Sequence, residues 1–204
     1  MAQNQKRIFQ YLLDLLIVVF GVFLGMYASE IQSKNRINRE KAKSISFIVE
    51  ELLSNKASLE RSIAYHQSIK VKIDSISNIL TEENKFEKYF GNRVFRHTEI
   101  EGWRGVQVAN FEHTAFEAAK ISGIIKEYDI AFIKDISSLY TYQEKYTEFG
   151  NSILSRMINL TSSSTVLDAF GSLELMVVDL LQFETFILTK FEKLEQFSES
   201  SSGL

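Results

Sequence analysis

The sequence predicts an all-α protein: one N-terminal transmembrane helix, continued by a helical stalk into a bundle of roughly four helices with a short irregular insert. Three observations lead there. Residues 8–28 read IFQYLLDLLIVVFGVFLGMYA, in which Asp14 is the sole ionisable group apart from tyrosine. As a helix that run covers roughly 30 Å, the depth of a bilayer's hydrocarbon core. Beyond it, apolar residues recur at helical spacing through most of the chain. Finally, proline is absent from all 204 residues, which removes the commonest interruption of long helices.

The chain divides accordingly. Residues 1–7 form a short tail, 8–28 the transmembrane helix, 29–44 the stalk, 45–196 the bundle with its insert at 91–113, and 197–204, FSESSSGL, a disordered tail. A cleaved signal peptide would share the basic start at Lys6 and Arg7. It would not share so long an apolar run, and Ala28-Ser29 is a poor cleavage site followed by helical sequence. A buried core helix would carry a polar stripe, whereas Leu15 to Ala28 is apolar all round. The expected location is the inner (plasma) membrane, with a single pass. Lys34, Arg36, Arg39, Lys41 and Lys43 beyond the helix outnumber Lys6 and Arg7 before it, which favours a cytoplasmic C-terminal domain.

Within the span, Gly21 and Gly25 make the small-xxx-small spacing that lets two helix backbones approach. Asp14, two turns inside the amino end, is the kind of residue that faces a partner or water. These three are the candidate helix-packing residues. The implied partners are the lipid bilayer and either other membrane proteins or a second copy.

The stalk SEIQSKNRINREKAKS is polar on most faces and has mixed charge at helical spacing. An apolar stripe then runs through Ile48, Leu52, Leu59, Ile63, Ile69, Ile73, Ile76 and Leu80, with Ser54-Asn55 as a candidate break. His66 falls on this stripe and reads as a packed core residue. KFEKYF reads as a short helix ending at Gly91, and the stretch to His113 as either a hairpin or an ordered loop, with Trp103 and its aromatic neighbours capping the core. Thr114 and Glu117 form a capping-box pattern for a helix that ends at Gly123. Asp129 caps a longer helix striped by Ile133, Ile136, Leu139, Tyr142, Tyr146 and Phe149, in which Gly150 is a point of local loosening. Thr165 or Asp168 caps the last helix. Its apolar runs are interrupted by Asp179 and Glu184, so it belongs inside a bundle and not in a second membrane pass.

Chemistry is sparse. A net charge of −3 disfavours a nucleic-acid partner. With no cysteine there is no disulfide, thiol nucleophile or Cys-based metal site. His97, Glu99, Glu101 and His113 match neither the helical nor the strand spacing of a metal-binding histidine pair. No Gly-rich phosphate loop, Gly-x-Ser-x-Gly elbow or His-Glu-x-x-His motif occurs. The reading is therefore non-enzymatic, with no cofactor, no metal and no small-molecule substrate. It describes a membrane-anchored interaction or sensor module, with a structural subunit of a larger membrane complex as the alternative.

The order of YLLDLLIVVFGVFLG, a charged stalk, and TAFEAAKISGIIKEYDIAFIKDISSLY resembles an uncharacterised family of single-pass membrane proteins common in Bacteroidota, catalogued as a domain of unknown function. The shared pattern is an early acid and glycines in the apolar helix, then Thr-x-aromatic, Ser-Gly and a helix ending in Tyr. The resemblance implies an anchored helical domain and no catalytic residues.

Overall fold

The computed structural model describes the backbone of residues 2–202 and the side chains of 12–194. The expected tails, 1–7 and 197–204, fall on side chains outside that set. The fold is all-α, and no strand occurs among the described residues.

Helix α1, Ala2–Ser77, is a single element of 76 residues, about 114 Å long at the ordinary rise. The break anticipated at Ser54-Asn55 does not occur. Asparagine weakens a helix when its side chain competes for nearby backbone groups. Asn55 instead is buried and bonded elsewhere: its Nδ2 donates to the Glu112 carbonyl and its Oδ1 accepts from the Glu112 amide, both at 2.8 Å. Along the second half of α1, Ile48, Leu52, Leu59, Ile69 and Ile73 are buried, as their spacing predicts. Between the two halves the stalk stays exposed and carries i,i+4 ion pairs, Glu30–Lys34 at 2.7 Å and Arg36–Glu40 at 3.9 Å.

Helix α2, Glu82–Phe86, lies earlier than KFEKYF suggests. Thr81 and Asn84 form its capping box, and it stops at Phe86. The chain is then drawn into extended pairing with the 164–166 turn, where the Tyr89 amide donates to the Ser164 carbonyl at 2.9 Å and the Val166 amide to Glu87 at 3.0 Å. The insert is an ordered loop with one 3-10 turn at His97–Glu99 and no hairpin.

Helix α3, Thr114–Ser122, departs from its expected cap. Thr114 is its first residue, and His113 stands at the cap position with no side-chain bond. The free amides of the first turn are taken by Glu51 from α1, whose carboxylate oxygens accept from Ala115 at 2.7 Å and Phe116 at 3.4 Å. A charge-assisted bond from a distant carboxylate replaces the weaker local hydroxyl. Gly123 closes α3 at φ +74°, as anticipated. Helix α4, Ile130–Ile158, is capped by Asp129, which accepts from Ala131 and Phe132 at 2.8 and 3.3 Å. It runs through Gly150 without interruption. Helix α5, Val166–Glu174, begins at a Thr165–Asp168 capping box and passes through a π-helical stretch, Leu175–Leu180, into α6, Leu181–Ser202.

From Leu173 the buried positions of this last rod recur at Val177, Leu180, Glu184, Ile187, Phe191 and Leu194, alternating four and three apart. That spacing is the seam of a helix packed on neighbours. Helix α6 lies against both α1 and α4. The core therefore has three long rods, α1, α4 and the α5–α6 rod, with the short α3 packed on α1 as the fourth helix of the bundle. Residues 104–113 form an irregular strap between α1 and α4, with positive φ at Gly105 and Gln107. Asn55, Ser58, Tyr65 and His66 of α1 and Tyr146 of α4 satisfy the backbone of this strap with side-chain bonds. Such bonds answer the requirement that buried peptide groups find partners without a sheet.

Candidate functional site

Three features concern function: the exposed end of α1, a buried polar centre, and a groove at the base of the bundle.

From Leu12 to Tyr27 every large apolar side chain is exposed, Phe23 at 71% and Met26 at 69%. Among the described residues this is the one helix long and apolar enough to cross a membrane, and its apolar window is entirely unburied within the chain. A core helix of equal hydropathy would be covered by its own fold. Asp14, Gly21 and Gly25 are spaced seven and four apart, which places them on one face of α1. A Cβ added at either glycine would meet nothing within 4 Å, so the chain itself leaves that narrow face open.

In the core, Glu184 of α6 gathers groups from two other rods. His66 Nδ1 lies 2.9 Å from both its carboxylate oxygens, and the Tyr146 hydroxyl donates to Oε1 at 2.7 Å. The same hydroxyl accepts from the Ala109 amide at 2.9 Å, and His66 Nε2 donates to the Val106 carbonyl at 2.6 Å. Acceptors thus face both ring nitrogens of His66. His66, Glu184 and Tyr146 are fully buried. Burial first and the Glu184 charge second push the Tyr146 hydroxyl far above the ordinary tyrosine range. A second carboxylate–tyrosine pair is Glu51 with the Tyr140 hydroxyl, which burial and then Glu51 also push well up. These groups hold α1, α4, α6, α3 and the strap together. His66, Tyr146 and Glu184 are sealed from solvent, whereas Glu51 and Tyr140 each line a groove.

The insert's other polar groups are dispersed. His97 bonds to the Tyr89 hydroxyl and stacks near it, with Trp103 edge-on at 5.4 Å, and burial lowers its pKa. Glu99 faces Arg96, Glu101 faces Lys72, and His113 lies against Tyr140. No group of three or more His, Asp or Glu suited to a metal occurs among the described residues.

Between α1 and α3, beginning on the C-terminal half of the stalk, lies a groove of about 870 Å³. Ala115, Ala118 and Ala119 floor it, and Ile37, Phe47 and Ile124 supply its apolar walls. The exposed glutamates Glu40, Glu50, Glu112 and Glu127 face Lys43 and Lys126 around it.

The exposed end of α1 is legible in the sequence, and Asp14, Gly21 and Gly25, the candidate packing residues, lie on it. The polar centre and the groove are not legible there. Glu184 was visible only as a charge inside an apolar run, although a charge on the 177–180–184–187 seam is itself the mark of a buried, partnered group. Glu51 carried no local signal, because its targets lie more than sixty positions away. Comparison with protein-family models, with curated proteins and with solved structures finds no match, so the family resemblance rests on the quoted residues alone.

Proposed function

We propose that the protein is a non-enzymatic, membrane-anchored helical module that binds a partner and passes the event to the membrane through α1. One observation carries this reading: a single unbroken helix supplies both the uncovered apolar end and a principal wall of the bundle core. A ligand that repacks the bundle against α1 therefore tilts or turns the same rod that enters the lipid, a rigid-body route for a signal. The bilayer proposed is the inner membrane, and the stalk's basic residues favour a cytoplasmic bundle. A second reading, a structural subunit of a membrane complex, is favoured by Asp14, Gly21 and Gly25 lining one untouched face.

Alkaline carbonate extraction followed by affinity capture from detergent-solubilised membranes tests the proposal. Retention in the membrane pellet and recovery of a bundle-dependent partner are expected; release into the aqueous fraction overturns it. Replacing both glycines by leucine separates the two readings. A subunit loses its assembly, whereas the module keeps its partner. Protease access in spheroplasts reports the side.

A further inference from the structure

The groove between α1 and α3 has the makings of a helix-binding site, and we infer that it seats a basic amphipathic juxtamembrane helix of another membrane protein. This inference rests on the membrane-anchored reading above. Three features identify the occupant. The floor is alanine, so a helix backbone can come close, and Phe47, 51% exposed, gives an apolar ridge for its hydrophobic side. The rim holds four exposed glutamates against two lysines, and one of those, Lys43, is placed over the Phe47 ring at 5.6 Å. Glu51, at the bottom, is already engaged by the Ala115 and Phe116 amides and the Tyr140 hydroxyl, and Glu40 pairs with Arg36, so Glu50, Glu112 and Glu127 are the rim carboxylates that meet a cation.

Position supplies the third feature. Along α1 the lining runs from Ile37 to Ser54. At the helical rise this lies about 14 to 39 Å beyond Ala28, the last residue of the apolar run. Lysine and arginine concentrate in that zone on the cytoplasmic side of membrane helices. A helix about 26 Å long fills the groove. A second copy of this chain is a poorer fit. Its stalk carries both signs, and its Lys34 and Arg36 are already paired with Glu30 and Glu40.

The test uses the full-length protein in phosphatidylcholine nanodiscs and a fluorescent leucine–lysine amphipathic helix as probe. Its leucine–glutamate counterpart, a peptide of residues 29–44 and empty nanodiscs serve as comparisons. Saturable binding of the lysine helix alone is expected. Glu50→Lys with Glu127→Lys should weaken it at least about tenfold. Ala118→Trp, at an exposed position, should abolish it by filling the floor, with the circular-dichroism melt unchanged. Equal binding of both charges, or binding indifferent to Ala118→Trp, overturns the inference. Tight binding of the 29–44 peptide also overturns it, by making the occupant a second copy. If the anchor reading fails instead, carbonate releases the protein while the lysine helix still binds; if the groove fails, the protein stays in the membrane and the probe does not bind.

Discussion

The two halves of α1 use the same kinds of side chain in opposite surroundings. Between Leu12 and Tyr27 the apolar residues cover every face and none is buried. Between Ile48 and Ile73 most of them keep to one face, which is sealed against the rest of the fold, while Leu53 and Val71 stay exposed. Angular distribution therefore separates the halves better than hydropathy does. A stripe can be satisfied by a neighbouring helix, whereas an apolar cylinder needs an apolar solvent. Polar groups obey the same division. Asp14, on the cylinder, is exposed and touches no packed core, while Glu184, facing the stripe, organises three long rods.

The largest expected effect sets these two acids against each other. Glu184→Ala leaves the His66 ring and the Tyr146 hydroxyl buried without their acceptor and should destabilise the bundle by about 3–5 kcal/mol. Asp14→Ala should leave bundle stability unchanged. Urea unfolding of both variants in detergent micelles measures the pair, and equal losses would erase the distinction between the halves.

Next come the glycines. A Cβ at Gly150 would overlap both methyl groups of Val108, the nearer contact being to Cγ2 and the other, to Cγ1, at 2.8 Å. Valine is short and stiff, so the strap itself must shift. Gly150→Ala should cost about 1–3 kcal/mol, and adding Val108→Ala should recover most of it. Gly21→Ala, with nothing near, should leave unfolding unaltered.

How far the sequence disclosed this arrangement depended on distance along the chain. Asp129 and Gly123 act within a turn of themselves and are legible from residue type and spacing; for the last helix the sequence offers Thr165 or Asp168, and the two act together in one capping box. The Thr114 cap and the Ser54-Asn55 break followed the same local rules and were overruled by tertiary partners. Glu51 caps α3 from across the fold, and Asn55 grips Glu112 fifty-seven positions away. Gly150 looked like a loosened turn because its role, admitting Val108, lies in a strap with no periodicity of its own. The groove was illegible for the same reason, since its two walls come from distant stretches.

A smaller effect follows from Tyr140 and Tyr146. In the folded chain their hydroxyls keep protons that the unfolded chain releases near pH 10. Above that pH the unfolded state binds fewer protons, so stability falls as pH rises. It should be intact up to about pH 10 and decline beyond it. Urea midpoints across the alkaline range will show the decline. The Tyr140→Phe, Tyr146→Phe double variant should flatten it, separating the tyrosines from the titration of surface lysines.

The most direct measurement uses the absence of native cysteine. Val18 and Leu53 are similarly exposed on α1, at 63% and 53%, and differ only in the half they occupy. Val18→Cys and Leu53→Cys, each in native membranes, are treated with a water-soluble maleimide. The account predicts labelling at position 53 and protection at 18 that ends when detergent and denaturant are added. Equal labelling of both in intact membranes would place the apolar half of α1 in water and contradict the account.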